Sequence, residues 1–340
     1  MGVTMMPFQP QVRVGIVDGG SFGLRLEGVY DVDASEDSVC YCPTSNDCYA
    51  EVSGIKIGKD FHWQREMTQR FHGRIIIKRV NDEKSILINM LPAEEYLESV
   101  ISSEMNPNAH PEFLKVHAII SRSWLLKMLR MPRIKRSHDF VFHNGEIISW
   151  TDVEAHSDYD VCADDHCQRY QGITRASTDI VRQAIAATRG QVMMYNGKIC
   201  DTRFSKCCGG VFEEFQYCWE DIKYPYLSKL RDHKAHTDIP DLTQEAEAQK
   251  WIRSYPESYC HTTDKKILSQ VLNNYDQETT DFYRWKVEYS QDELSALVLK
   301  RSGIDYGQIV DLVPVARGTS GRLWKLKIVG TKKTLTIGKE

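Results

Sequence analysis

The stretch that decides the fold is "LPAEEYLESVISSEMNPNAHPEFLKVHAIISRSWLL", residues 91–126. Its first half has acidic residues directly after Pro92 and apolar residues at helical spacing: Tyr96, Leu97, Val100 and Ile101. "NPNAHP" ends this segment, and a second apolar segment begins at Pro111, where proline is well tolerated in a first helical turn. The stretch therefore predicts two successive helices, the second buried on most sides.

Strand patterns flank these helices on both sides. "FHGRIIIKRV" and "SILINML", joined by "NDEK", alternate in polarity and predict a β-hairpin. "TRASTDIVRQAIAATRG" predicts a third helix that ends at Gly190. "QVMMYNGKICDTRF" predicts a second hairpin, because Asn196-Gly197 is a strong two-residue turn signal. With further strands near the C-terminus, the sequence predicts an α+β protein of mostly antiparallel strands around a central helix pair.

Composition excludes several classes of protein. The 340 residues carry 43 Lys and Arg against 47 Asp and Glu, a net charge of −4 that argues against nucleic acid as the main partner. The basic segment "RMPRIKRSH", residues 130–138, is interpreted as a solvated loop. No apolar run reaches the ~18 residues of a membrane span, and no signal peptide is visible in this chain.

Four metal-ligand side chains lie together in "HSDYDVCADDHCQRYQG", residues 156–172. They are His156, Cys162, His166 and Cys167, the nitrogen and sulfur ligands that tetrahedral Zn²⁺ prefers. The spacing is uncommon, and a polar loop with a disulfide between the two cysteines is the alternative. If all four residues bind, no position is left for water, and the ion stabilises the irregular loop without acting as a Lewis acid.

Glu104 is the candidate catalytic acid. It is expected at the C-terminal end of the first helix, where the helix dipole and low polarity both raise the pKa of a carboxyl group. The alternative is a solvated glutamate in a fraying last turn. Asp164 and Asp165 belong to the loop, and no pattern pairs either with Glu104 as a glycosidase would require.

The ten cysteines otherwise form local groups. Cys207 or Cys208 with Cys218 is a plausible disulfide outside the cytosol, and reduced buried thiols are an equal alternative. Cys260 stands alone in the sequence, and no role is assigned to Cys40, Cys42 and Cys48.

Several of these motifs together resemble the SpoIID/LytB family of bacteria. The stretch at 91–126 is similar to its central two-helix signature, and "CQRYQG" to its Gln-x-Tyr-x-Gly motif. "AIAATRGQVMMYNGKICDTRFSKCCGG", residues 184–210, is similar to the strand and Gly-Gly loop that follow. "SGRLWKLKIVG" and "KTLTIGKE" also fit the family near the C-terminus. Phe204-Ser205 departs from the Tyr-His usual in the family before this loop.

The resemblance implies a peptidoglycan lytic transglycosylase that acts on glycan strands stripped of stem peptides. It assigns catalysis to Glu104 and substrate binding to Arg122, Gln168 and Tyr170. Lys206 substitutes for the missing Tyr-His contacts in the Gly-Gly loop. The resemblance also implies a zinc ion on the four His and Cys residues, a location in the cell envelope, and a cell-wall amidase as a partner.

The resemblance also divides the chain. Residues 1–90 are expected to be an N-terminal β-rich part, and 91–230 a catalytic core with the helices, the zinc loop and the Gly-Gly loop. Residues 235–281 are expected to be a polar helical insertion, and 282–340 a β-rich part that completes the domain. Two rival functions remain: a glycan-binding enhancer of an amidase, without catalysis, and a hydrolase that uses the zinc.

Overall fold

The computed structural model describes residues 1–6, 9–58, 64–131, 140–143, 145–149, 156–175, 177–235, 239–272 and 282–339. The chain forms two compact units. Unit 1 comprises Met1–Lys135, Ala155–Arg203 and Lys265–Gln277. Unit 2 comprises Arg136–Glu154, Phe204–Asp264 and Glu278–Glu340. Each unit is thus assembled from three separate stretches of the chain, and the four-part division expected from the sequence stays a prediction.

The elements are as follows. The strands are β1 (Gly2–Met5), β2 (Gln11–Asp18), β3 (Gly23–Glu27), β4 (Tyr30–Ala34), β5 (Ser38–Pro43), β6 (Tyr49–Ile57), β7 (Arg65–Phe71), β8 (Arg74–Arg79), β9 (Ser85–Pro92), β10 (Phe140–His143), β11 (Glu146–Ser149), β12 (Val161–Cys162), β13 (Gln191–Tyr195), β14 (Lys198–Ile199), β15 (Ile309–Arg317), β16 (Leu323–Gly330) and β17 (Thr334–Lys339). The helices are α1 (Ala93–Glu104), α2 (Pro111–Leu129), α3 (Asp179–Ala187), α4 (Phe215–Cys218), α5 (Glu245–Arg253), α6 (Lys265–Val271) and α7 (Gln291–Ser302). The expectation of a mixed α+β protein is confirmed.

Unit 1 contains three sheets. The largest has the strand order β12-β2-β9-β8-β5-β4, in which β12 pairs parallel to β2 and the other neighbours are antiparallel. Two three-stranded sheets have the orders β3-β6-β7 and β1-β13-β14. The expected hairpin is the antiparallel pair of β8 and β9. The Asn196-Gly197 hairpin is also present, and both turn residues have the positive φ that this turn needs (48° and 73°).

The two helices expected in 91–126 are α1 and α2, and both contact each other and α3. Pro111 occupies the first turn of α2, and the ring of His110 accepts a hydrogen bond from the backbone N–H of Glu112. In α3, the Thr178 side chain caps the backbone N–H of Val181. The three helices bury their apolar faces in the core of unit 1, which includes these large side chains: Tyr96, Leu97, Ile101, Leu114, Leu125, Val181 and Ile185.

Unit 2 is built on a five-stranded sheet with the order β10-β11-β17-β16-β15. Strand β11 pairs parallel to β17, and the other neighbours are antiparallel. Helix α7 begins with a capping box formed by Ser290 and Glu293 and ends at Gly303, which has a positive φ of 69°. The buried apolar residues of this sheet form a small core: Tyr306, Ile309, Ile328 and Leu335.

Two expected segments are only partly described. The basic segment at 130–138 lies outside the described residues from 132 onward. Within the expected insertion at 235–281, the described residues include α5, which belongs to unit 2, and α6, which belongs to unit 1. None of the helices that the structure describes has both the length and the apolar character needed to cross a membrane.

Candidate functional site

Glu104 is the last residue of α1, as the sequence predicted, and its side chain is buried. The residue is 9% exposed, so the alternative of a solvated glutamate does not fit its surroundings. Its Oε1 accepts a hydrogen bond of 2.9 Å from the backbone N–H of Arg169. Arg169 lies two residues after Cys167, so the loop of metal-ligand side chains leads directly to the donor that orients the carboxyl group.

The segment 168–171 runs along α1 and is fixed to it at several points. The hydroxyl of Tyr96 donates to Gln168 Oε1 at 3.3 Å, and Gln168 Nε2 donates to the carbonyl of Ser121 on α2 at 3.4 Å. The backbone N–H of Gln171 donates to Ser99 Oγ at 3.1 Å. These bonds, with the one to Glu104, hold the segment in register against the helix.

Tyr170 completes this packing from inside the core. Its ring stacks between Tyr96, with a centroid distance of 5.2 Å, and Phe71, at 6.0 Å. Its hydroxyl donates to Asn89 Oδ1 at 2.6 Å, and burial raises the pKa of Tyr170. Tyr170 and Gln168 are each 2% exposed. The structure therefore gives both residues a packing role, and the expected contacts with sugars stay a prediction.

Arg122, expected from the resemblance to bind substrate, lies against Glu94, and its contact with a sugar stays a prediction. Its Nε and Nη2 donate to the two carboxylate oxygens of Glu94 at 2.8 and 2.7 Å, and Nη1 donates to the carbonyls of Gln191 and Ala118. Arg122 is 1% exposed, so this bidentate pair is a buried link between α1, α2 and β13. Sequence reasoning missed Glu94 because it lies 28 positions from Arg122 and resembles any acidic residue of a first helical turn.

The residues His156, Cys162, His166 and Cys167, here called the His/Cys cluster, come together as the sequence predicted. Their ligand atoms all lie within 4.8 Å of one another. Cys167 Sγ is 3.4 Å from His156 Nε2 and 3.4 Å from His166 Nδ1, and Cys162 Sγ is 3.8 Å from His166 Nδ1. A tetrahedral zinc ion with Zn–S of about 2.3 Å and Zn–N of about 2.0 Å separates its sulfur and nitrogen ligands by about 3.5 Å. The spacing therefore fits such an ion.

The two thiols of the cluster differ in character. A hydrogen bond with Cys167 lowers the pKa of Cys162, and the same bond raises the pKa of Cys167. Both sulfurs are unoxidised, because all ten cysteines of the chain are free and all ten lie within the described residues. The alternative of a Cys162–Cys167 disulfide is therefore not what the structure contains.

The sheet of unit 1 anchors the His/Cys cluster. Strand β12, which contains Cys162, adds to β2, and Asp160 accepts a 2.8 Å hydrogen bond from the backbone N–H of Arg13. The ring of Tyr159 packs directly on Gly15, where a Cβ atom would lie 2.6 Å from the ring. The same ring stacks on the imidazole of His156, with a centroid distance of 4.5 Å. Because Gly15 has no side chain, the Tyr159 ring can lie against it and support His156, a ligand of the cluster.

A cavity of about 680 Å³ in unit 1 contains charged residues that sequence reasoning did not single out. Glu95 and Glu98 of α1 line it together with three arginines: Arg74, Arg175 and Arg182. Burial raises the pKa of Glu98, as expected for a carboxyl group removed from water. Glu98 is therefore a second candidate acid on the same helix. Its surroundings could not be read from the sequence, because the arginines come from distant positions.

Unit 2 contains Lys206 and four of the cysteines: Cys207, Cys208, Cys218 and Cys260. Lys206 lies there, half-buried, and its expected contact with a sugar stays a prediction. Cys208 lies beside Cys260, with 3.7 Å between the two sulfurs, although Cys260 is isolated in the sequence. Cys218, one of the two alternatives for which was a disulfide with Cys207 or Cys208, is exposed and forms no disulfide.

Comparisons with known proteins match two segments of the chain to different family models. Residues 81–195 match the stage II sporulation protein (SpoIID) model. Residues 213–340 match a domain of unknown function, DUF8618. The stretches "SGRLWKLKIVG" and "KTLTIGKE", expected to belong to the first family, fall in the second match.

Two of the similar curated proteins are named stage II sporulation protein D, in agreement with the first match. An uncharacterized protein of Brachyspira hyodysenteriae is 25% identical over 221 residues, which cover 64% of this chain and 54% of that protein. Stage II sporulation protein D of Bacillus subtilis is 24% identical over 146 residues, and that of Bacillus amyloliquefaciens 23% over 151 residues. Each of the last two matches covers 42% of this chain and 39% of the relative, so this chain spans about half or less of the relatives it matches.

The first match contains the features described above for unit 1: α1 with Glu104, the Arg122–Glu94 pair, the His/Cys cluster and the segment 168–171. The match, the relatives and this geometry lead to one conclusion: residues 81–195 of the chain are a domain of the stage II sporulation protein D (SpoIID) family.

Proposed function

We propose that this protein is a peptidoglycan lytic transglycosylase that cleaves the bond between N-acetylmuramic acid and N-acetylglucosamine and leaves 1,6-anhydro ends. The observation that carries the proposal is the buried carboxyl group of Glu104, oriented by the backbone N–H of Arg169 within a SpoIID-family domain. The SpoIID family is linked to this activity on cell walls. The proposed substrate is a glycan strand from which the stem peptides have been removed.

One carboxyl group is sufficient for this reaction. Glu104 as the neutral acid donates its proton to the glycosidic oxygen while the bond to C1 of the muramic acid breaks. As a carboxylate, it then accepts the proton of the C6 hydroxyl on the same sugar. The C6 oxygen bonds to C1 and closes the anhydro ring, so no water is consumed. Because the nucleophile is part of the substrate, the reaction gains the advantage of an intramolecular attack.

The carboxyl group of Glu104 is buried, and a main-chain donor holds it. Because that donor, the N–H of Arg169, belongs to the backbone, it keeps its position when the proton of the acid leaves.

Three of the residues expected to bind substrate act, in this proposal, as positioning residues. Arg122 holds α1 against α2 through Glu94, and it thereby fixes the helix that ends at Glu104. Gln168 and Tyr170 keep the Arg169 donor in register through their contacts with Tyr96. Lys206 remains the candidate for a direct contact with sugar.

We assign the His/Cys cluster to one structural Zn²⁺ held by His156, Cys162, His166 and Cys167. Four protein ligands close the coordination sphere, so the ion would supply folding energy and no Lewis-acid chemistry. The ion would fix the loop that precedes Arg169. We also place the protein in the cell envelope, where peptidoglycan lies, with a cell-wall amidase as a further candidate partner.

The test is to incubate Glu104→Gln with denuded glycan strands and measure the products by mass spectrometry. Glutamine keeps the shape of the side chain and cannot act as the acid, so we expect a loss of about 10²–10⁴-fold in the rate at which anhydro ends form. Glu98→Gln is the matched control, because it makes the same change in the same helix. It is expected to retain the wild-type rate.

Each other result points to a different function. Loss of activity in Glu98→Gln with activity retained in Glu104→Gln would identify Glu98, in the cavity, as the catalytic acid. Hydrated ends that depend on zinc would indicate a hydrolase. Binding of glycan without cleavage by the wild-type protein would reject the enzyme and favour an enhancer of an amidase.

A further inference from the structure

Unit 2 contains a second group of metal-ligand side chains that the proposed function does not use. Cys208, Asp232 and Cys260 each offer a ligand atom, and these atoms lie within 4.8 Å of one another. Cys208 is buried and the other two residues are half-buried. Cys207 precedes Cys208 in the chain, and its thiol interacts with that of Cys260. These four residues are called the thiol cluster below.

The spacing of the sulfurs suits a shared metal ion. Cys208 Sγ and Cys260 Sγ are 3.7 Å apart. Two sulfurs bound to one tetrahedral zinc ion with Zn–S bonds of about 2.3 Å are separated by about 3.8 Å. Asp232 adds a carboxylate, which is also a ligand that zinc accepts. The neighbouring residues Cys207 and Cys208 would both bind the ion, as the neighbours His166 and Cys167 would in the His/Cys cluster.

Hydrogen bonds made by Asp232 fix the backbone around the thiol cluster. Asp232 Oδ2 accepts a hydrogen bond of 2.9 Å from the backbone N–H of Cys260, and Asp232 N–H donates to the carbonyl of Gly210 at 3.1 Å. Asp232 therefore joins the two loops, through its carboxylate to Cys260 and through its backbone N–H to Gly210. In known metal sites, hydrogen bonds from residues around the ligands orient the ligands.

Three arginines surround the cluster and donate to the carbonyls of the Cys-Cys-Gly-Gly loop. Arg322 donates to the Cys208 and Val211 carbonyls at 2.6 and 3.2 Å. Arg231 donates to the Gly210 carbonyl at 2.7 Å, and Arg284 to that of Gly209 at 3.1 Å. Nearby cations stabilise thiolates, the form of cysteine that binds metals.

We propose that Cys208, Asp232 and Cys260, completed by Cys207, bind one Zn²⁺ ion that holds the loops of unit 2 together. Four protein ligands make this a structural site. It lies outside residues 81–195, and it does not depend on the activity proposed for Glu104. The rival for the same residues is a disulfide between Cys260 and Cys207 or Cys208.

The direct test is the zinc content of the full chain, purified under reducing conditions in the presence of zinc and measured by plasma mass spectrometry. The wild-type protein should contain about two zinc ions per chain, and Cys260→Ser about one. Cys167→Ser should lose the other ion, and the double variant both. Cys218→Ser is the matched control, because Cys218 is an exposed thiol outside both clusters, and it should keep both ions. An unchanged zinc content in Cys260→Ser would overturn the proposal.

A second measurement needs no variant and therefore does not depend on whether Cys260→Ser folds. The wild-type protein is treated with iodoacetamide before and after a chelator, and the labelled cysteines are identified by peptide mass spectrometry. We expect Cys207 and Cys260 to react at least about tenfold faster once the metal is removed, and Cys218 to react equally in both states. Equal reactivity of Cys260 in both states would reject the site. An intact mass lower by the two hydrogens of a disulfide would show that the rival is correct.

Discussion

The His/Cys cluster of unit 1 and the thiol cluster of unit 2 offer similar ligands, but the chain builds them differently. The first takes all its ligands from residues 156–167. The second takes them from positions 207, 208, 232 and 260. The first lies on a formed sheet and against the large core of unit 1, to which Cys167 itself contributes. The second lies among arginine side chains that bond to loop carbonyls.

This difference suggests that a metal has a different importance in each unit. In unit 1, an apolar core holds α1, α2 and the large sheet, and the cluster secures only one loop. In the described part of unit 2, the core of the five-stranded sheet includes no residue of the loops around the thiol cluster, so a metal would do more of the work of holding these loops, as it does in small metal-binding domains. We therefore expect metal removal to loosen unit 2 more widely than unit 1.

Metal removal should have the largest effect of the changes considered. After treatment of the full chain with a chelator, hydrogen exchange should accelerate about 10³-fold at Asp232 and Cys260, which corresponds to about 4 kcal/mol. The amide of Val14 in β2, in the core of unit 1, should keep its protection. Equal acceleration at Val14 and Asp232 would contradict the expectation that metal removal loosens unit 2 more than unit 1.

Arg322→Gln should have the next largest effect, because Arg322 donates to two carbonyls of the thiol cluster loop and to Ser320 Oγ. We expect a loss of about 3 kcal/mol in the free energy of unfolding of unit 2 and zinc affinity about 10–100-fold weaker at the thiol cluster. Denaturant unfolding and competition with a chromogenic chelator measure the two quantities.

The control for this change is Arg253→Gln, at an exposed position of α5. It should change neither quantity. A decrease in zinc affinity at the His/Cys cluster of Arg322→Gln would contradict the independence of the two sites.

Gly15→Ala should have a smaller effect, restricted to unit 1. The new methyl group would overlap the Tyr159 ring, which contacts His156. We expect a loss of about 2 kcal/mol in stability and weaker zinc binding at the His/Cys cluster, with the thiol cluster unchanged. Thermal unfolding and zinc competition test this.

Gly2→Ala is the control, because a Cβ atom there meets open space. The double variant Gly15→Ala/Tyr159→Ala should regain part of the lost zinc affinity, since the overlap is then removed. If it does not, the close approach at Gly15 is not the reason for the loss.

The two clusters also differ in how far the sequence predicts them. Local patterns sufficed for α1, α2, the two hairpins and the His/Cys cluster, since each is encoded within a few tens of neighbouring residues. The pairing of Arg122 with Glu94, the arginines around Glu98 and the position of Cys260 beside Cys208 depend on tertiary contacts between distant residues. No local pattern specifies such contacts. The assembly of each unit from three separate stretches likewise depends on contacts between distant residues.

The hydrogen bond from Arg169 N–H to Glu104 has a consequence for how this site tolerates mutation. The donor is part of the main chain, so nineteen of the twenty amino acids at position 169 would supply it, and proline alone would not. Variation of that side chain among related proteins therefore says nothing about whether the bond is kept. The path of the backbone at position 169 determines the orientation of the proposed acid. The type of residue at that position does not show whether the orientation is kept.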